Sequence, residues 1–288
     1  MGVEISADTI SGGLAYPRET IVAAATAPGR AGVAVIRLSG PDALAAFHRL
    51  TGRRDSPRPR VLIRVRLTDP ADGGIIDDGL AVFFPAPASF TGEDVVEFHI
   101  HGGRAAPAAL IAALTALPGL RPAEPGEFSR RAFVNGKLDL TAAEGIADLV
   151  DAETAEQRRQ ALRQMDGELG RLYDDWRQRL LVDMARLEAT IDFSDEPIPG
   201  GLEDDVRRDV AGIAAAMTVH LTDGRRGERL RDGLMLVIVG APNAGKSSLL
   251  NRLARREAAI VAETVGTTRD VIEVHLDLGG YPVTAADT

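Results

Sequence analysis

An apolar run, Leu234 to Val239, leads without a break into G-A-P-N-A-G-K-S, Gly240 to Ser247. No other stretch constrains the fold as much. The pattern G-x-x-x-x-G-K-S/T holds phosphate only where a strand enters it and a helix leaves it. Both flanks fit: Leu234 to Val239 reads as a buried strand, and Ser248 to Leu253 as an amphipathic helix. Gly240 and Gly245 let successive backbone N–H groups turn inward around an anion. Lys246 would reach the outer phosphates of a nucleotide, and the Ser247 hydroxyl would ligate Mg²⁺.

About two domains are expected for 288 residues, and 45% apolar content fits a globular chain. No run approaches a membrane span, and the first residues do not read as a signal peptide. With no cysteine, disulfides and zinc-thiolate sites are excluded, and a cytoplasmic location is expected. A net charge of −9 argues against a surface coated for nucleic acid. Most of that acid lies in residues 141–232, where 21 acidic side chains face 13 basic ones, the signature of a solvated helical face. Only two of the 33 basic residues are lysines, Lys137 and Lys246. Lys246 belongs to the glycine loop, so Lys137 needs a reason of its own.

Thr20 to Ser39 reads as two strands joined by a turn at Pro28-Gly29, followed by a short helix over Pro41 to Leu50. After a loop over 51–60, strands are expected over 61–67, 80–84 and 95–101, and a helix over 107–117. This interleaving gives an α+β domain that ends near Lys137. T-A-A-E, Thr141 to Glu144, reads as a capping box opening a helix. Leu162, Met165, Leu169, Leu172, Trp176, Leu180, Met184, Leu187 and Ile191 recur at steps of three and four. They predict one long helix whose apolar stripe is core, ended by the Pro- and Gly-rich stretch 192–201. A further helix over Glu203 to Leu221 places Val206, Val210, Ile213 and Met217 on one face. Beyond the polar stretch 265–270, a hairpin turns at Gly279-Gly280, and Asp287 ends its second strand.

Three blocks, "DGLAVFFPAPASFTGEDVVEFHIHGG", "RPAEPGEFSRRAFVNGKLDLTAAEGIADLVDA" and "GAPNAGKSSLLN" with "AAIVAETVGTTRD", carry a resemblance. From about residue 20 to its last residue the chain resembles the tRNA modification GTPase family MnmE, also called TrmE. The resemblance implies a multidomain protein of α+β and α/β type. After an extension over 1–19 come a folate-binding and dimerisation domain over 20–137 and the first part of a helical domain over 138–232. The start of a phosphate-loop GTPase domain follows over 233–288. It further implies a homodimer formed through the N-terminal domains and a FAD-containing partner, MnmG (GidA). The implied reaction is GTP- and folate-dependent modification of carbon 5 of the wobble uridine in certain tRNAs.

Carried onto this sequence, the resemblance makes Arg37, Glu97 and Lys137 contacts of formyl- or methylene-tetrahydrofolate. A carboxylate accepts two hydrogen bonds from the amino-pyrimidine edge of a pterin, and Arg and Lys suit its glutamate tail. For GTP it implies Asn243, Ala244, Gly245, Lys246, Ser247 and Ser248, the segment Thr264, Val265, Gly266, Thr267 and Thr268, and Asp287. Ser247 and Thr268 would hold Mg²⁺. Asn243 and Thr267, with the carbonyls of Ala262 and Thr264, would hold K⁺, which would offset charge developing in the transition state.

His99 and His101 alternate on one strand and are read as structural. The arginines from Arg53 to Arg66 suit either tRNA phosphates or a solvent-facing surface. An N-K-x-D motif for guanine does not occur, so the chain is expected to be a C-terminally truncated member of the family. The alternative to a GTPase is therefore a folate-binding, dimerising remnant without GTPase activity.

Overall fold

Alternation along V-V-E-F-H-I-H-G sends Val96, Phe98 and Ile100 to one side of a sheet and Glu97, His99 and His101 to the other. That division organises the first half of the protein. The computed structural model describes residues 19–192, 201–222, 226–240, 245–256, 259–260 and 272–287. The chain forms two units, Met1–Leu138 and Asp139–Thr288.

The first unit contains β1 (Thr20–Ala24), β2 (Ala31–Ser39), α1 (Ala43–Thr51), β3 (Ile63–Thr68), β4 (Ile75–Phe84) and β5 (Val95–Gly102). It continues with α2 (Ala105–Thr115), β6 (Leu120–Pro122) and α3 (Glu127–Val134). Its sheet runs β3-β4-β5-β2-β1-β6, antiparallel except where β6 joins β1. Phe47 and Leu50 of α1 and Leu110 and Leu114 of α2 pack on Val22, Ile36, Leu38, Leu67 and Phe98. Both helices therefore cover one face, and the other is left for polar side chains. β4 begins at Ile75, five residues before the predicted strand; its first half, I-I-D-D-G, carries charges that mask the strand pattern. The short β6 and the polar α3 had no periodic signal.

The second unit contains α4 (Leu140–Asp151), α5 (Ala155–Met165), α6 (Glu168–Asp192), α7 (Leu202–Leu221) and α8 (Arg226–Asp232). After them come β7 (Leu234–Ile238), α9 (Lys246–Arg256), β8 (Ala259–Ile260), β9 (Ile272–Leu278) and β10 (Tyr281–Asp287). Four expectations need correction here. The cap of α4 is Asp139, whose carboxylate accepts the Ala142 N–H at 2.7 Å, while Thr141 already lies inside the helix. The capping box belongs instead to α5, through Thr154 and Gln157. The single long helix is two, because Gly167 adopts a φ of +79°, open to glycine but strained for other residues. The stripe is core only in part: Trp176 is buried, yet Leu180, Met184 and Leu187 are exposed and Ile191 is 75% exposed. α7 packs along α6, where Arg179 pairs with Asp209 and Asp183 is buried, but it leaves these stripe residues exposed.

The fourth correction concerns β7. It was expected to be buried, but Leu234 to Val237 are exposed. The sheet runs β7-β10-β9-β8, so β7 is its edge, and α9 packs Leu250 and Leu253 on Leu276, Val283 and Ala285 of the inner strands. The Gly279-Gly280 hairpin forms as expected, pairing Tyr281 with Leu278. No helix among the described residues is long and apolar enough to cross a membrane.

Candidate functional site

β2 and β5 are antiparallel neighbours whose register sets Arg37 opposite Glu97 on the open face of the sheet. The Arg37 Nε donates to Glu97 Oε1 at 2.7 Å. Two rings flank the guanidinium, Phe90 at 5.6 Å and Phe128 at 5.8 Å. Beside it opens a cleft of about 410 Å³ whose lining includes Ala23, Ala25, Arg37, Glu124 and Phe128. Glu97 and Lys137 lie outside that lining. Lys137 follows α3, where its N–H donates to the Ala132 carbonyl at 2.8 Å. Gly92 lies beside its stem, on the same loop as Phe90: a Cβ on Gly92 would stand 3.3 Å from Lys137 Cγ. Arg37 and Glu97 are thus brought together, and Lys137 is held at the loop that flanks them.

The histidines share this face. His101 Nδ1 lies 2.8 Å from Asp77 Oδ1. His99 Nε2 is buried, has no hydrogen-bond partner, and sits 3.5 Å from Glu97 Oε2. No group of three or more His, Asp or Glu able to hold a metal occurs among the described residues. Of the arginine cluster, Arg64 forks onto Asp78 at 2.9 and 2.8 Å and holds that carboxyl below its ordinary range.

A buried ionic network holds the cleft wall. Glu127, fully buried at the start of α3, accepts both Nη groups of Arg121 at 2.8 and 2.7 Å. It also takes the Glu124 N–H at 2.9 Å and Arg131 Nη2 at 3.0 Å. The Arg121 hydrogen bonds, with those from Glu124 and Arg131, pull the Glu127 carboxyl down to about 2 against the cost of burial. Arg131 in turn reaches Glu93 at 3.0 Å and the Glu19 carbonyl at 3.0 Å. Nothing in the sequence reading singled out this network, because E-F-S-R-R looks like any solvated helix.

In the second unit Gly245 adopts φ +88° immediately before α9, and Lys246 Nζ donates to the Gly240 carbonyl at 2.9 Å. β10 runs parallel to β7 and pairs Asp287 with Ile238, two residues before Gly240. The backbone therefore sets the end of β10 beside the entry to the loop. This is the carboxyl end of both strands, where open α/β sheets bind ligands. Asn243, Ala244, Ala262, Thr264, Val265, Gly266, Thr267 and Thr268 lie outside the described residues.

Comparison with known proteins agrees with both halves of this description. The family model for the GTP-binding protein TrmE N-terminus matches residues 20–137, and that for the MnmE helical domain matches residues 140–283. The chain belongs to the MnmE family. It is 64% identical over 271 residues to the tRNA modification GTPase MnmE of Parvibaculum lavamentivorans, covering 94% of this chain and 61% of that protein. Against the MnmE of Rhodospirillum rubrum the identity is 60% over 280 residues, 94% of this chain and 62% of the relative. A mitochondrial protein of Danio rerio, named as a subunit of a 5-taurinomethyluridine tRNA synthase, is 56% identical over 271 residues, covering 94% of this chain and 54% of that protein. The chain thus spans about three fifths of the length of its curated MnmE relatives. The junction between the two family models falls where the two units meet, between Lys137 and Leu140.

Proposed function

We propose that this chain carries the folate-binding and phosphate-loop parts of a cytoplasmic GTPase that modifies carbon 5 of the wobble uridine in tRNA. The observation that carries the reading is the Arg37–Glu97 pair, set between two phenylalanines beside a cleft. The donor set fits a reduced folate. Glu97 offers carboxylate oxygens to the amino-pyrimidine edge, Phe90 and Phe128 offer flat apolar walls, and Arg37 and Lys137 meet the glutamate carboxylates. Formyl- or methylene-tetrahydrofolate would supply a one-carbon unit. This chain's residues bind and orient it.

On the same reading the Gly245 backbone and Lys246 hold the phosphates of GTP. Ser247 and Thr268 would hold Mg²⁺, and Asp287 would stand on the Mg²⁺ side of the nucleotide. Magnesium keeps several waters and leans on substrate phosphates, so it needs no carboxylate cage in the protein. Asn243, Ala262, Thr264 and Thr267 would hold K⁺. The homodimer through the N-terminal domain, the FAD-containing MnmG partner and tRNA belong to the same proposal.

Calorimetric titration of the 288-residue chain with 5-formyltetrahydrofolate should show saturable binding. Glu97→Gln should weaken it by about 1.5–3 kcal/mol, the worth of a hydrogen bond to a charged group. Equal affinity in both proteins would remove Glu97 from the site. The exposed edge strand β7 favours a second reading, a folate-binding module without GTP turnover. Phosphate release from GTP in K⁺ against Na⁺ separates the two. Turnover that needs K⁺ and is lost in Lys246→Ala supports the enzyme, and folate binding without turnover supports the module.

A further inference from the structure

The folate reading leaves His99, on the open face of the sheet, without a task. Its Nε2 is buried and has no hydrogen-bond partner, an expensive arrangement for a polar atom. Its cross-strand neighbours are Val35 on β2 and Leu80 on β4, both apolar. The polar atom it faces is Glu97 Oε2, two residues back on the same strand and 3.5 Å away. The other oxygen of that carboxylate is already taken by Arg37 Nε at 2.7 Å. A small rotation of either side chain closes the remaining gap to hydrogen-bond length.

We propose that His99 is a positioning residue for ligand binding: its Nε2–H steers the second oxygen of Glu97 while Arg37 holds the first. Gripped from both flanks, the carboxylate cannot turn about its last bond. Each oxygen keeps a lone pair for a ligand, since a carboxylate accepts about four hydrogen bonds. The ligand chemistry selected is a planar edge with two parallel N–H donors. A reduced folate's amino-pyrimidine has such an edge, and the inference rests on the folate reading in that respect. The single Arg37 Nε contact holds one oxygen of Glu97. It does not by itself fix the carboxylate plane, and His99 supplies the second point.

Two measurements on the 288-residue chain test this. Long-range proton–nitrogen spectra of the imidazoles, with His99 assigned by comparison with His99→Gln, should show His99 as the Nε2–H tautomer. Its Nε2 signal should move in Glu97→Gln. An Nδ1–H tautomer, or an Nε2 signal indifferent to Glu97, overturns the proposal whether or not folate binds. In titrations with 5-formyltetrahydrofolate, His99→Phe, which keeps the ring but loses the donor, should bind about tenfold more weakly. His99→Gln, which returns an N–H donor, should stay within about threefold of the parent. If the parent chain binds and His99→Phe binds equally well, His99 has no such part and the folate reading stands. If the parent chain does not bind, the folate reading falls, and the spectra alone decide whether His99 holds Glu97.

Discussion

A fully buried glutamate is the residue least expected from the sequence, and Glu127 shows why it persists. Burial alone would favour its neutral form, but a bidentate Arg121, the Glu124 N–H and Arg131 together favour the anion. The carboxyl is held near 2 against an ordinary value of 4.5. Because the folded value is depressed, the stability it contributes is present in full above about 4.5 and is lost as pH falls from there to about 2. Glu127→Gln leaves two guanidinium groups without their shared partner, a loss on the order of 3–5 kcal/mol at neutral pH. The variant's stability should also fall less steeply through that acid window, as read by urea unfolding followed by circular dichroism at several pH values. An identical acid profile in parent and variant would show that Glu127 does not carry the ion pair. Arg37, Glu97 and Lys137 were named from motif resemblance. Glu127 and Arg131 were missed because charge at helical spacing signals solvent, and only the fold shows both side chains turned inward beneath the cleft wall.

At the level of elements, the sequence was most informative where pattern and turn chemistry agreed. The β9–β10 hairpin, α7 and the strand–loop–helix at Gly240 all have both. It misled where the deciding contact is long-range. β7 is as apolar as a buried strand, and only the sheet order reveals it as an edge. The stripe from Leu162 to Ile191 runs on through the turn at Asp166-Gly167, so periodicity alone joined α5 to α6. Two helical glycines give opposite expectations. At Gly145, where α4 crosses α5, a Cβ would stand 2.7 Å from the Met165 backbone N and 3.1 Å from the Ala161 carbonyl. Those are backbone atoms that no rotamer change can move, so overpacking of about 1–3 kcal/mol outweighs the gain of about 1 kcal/mol in helix propensity. At Gly212 in α7 the nearest atom is the far end of Arg179, at 3.8 Å, and the propensity gain stands alone. Gly145→Ala should therefore lower the urea midpoint and Gly212→Ala should raise it. The same sign in both would show that space at the crossing does not decide stability.

At the scale of the whole molecule, the two units differ in how much apolar surface they leave to water. The first packs two helices on one face of a six-stranded sheet, whereas the second exposes much of α6 and most of β7. Hydrophobic burial stabilises in proportion to area removed from water, so the second unit should be the weaker. The single tryptophan of the chain, Trp176, is buried in that second unit between Tyr173 and His220, so its emission reports only there. Urea titration should give non-coincident transitions, with Trp176 emission changing before the sheet signal in circular dichroism is lost. The proposed folate site lies wholly in the first unit, and a ligand stabilises only the unit that binds it. At a free concentration about 100 times its Kd, 5-formyltetrahydrofolate should stabilise the later transition by roughly 2.7 kcal/mol and leave the Trp176 transition where it was. A shift of both transitions together would mean that the units unfold as one. A shift of the Trp176 transition alone would move the folate site out of the first unit.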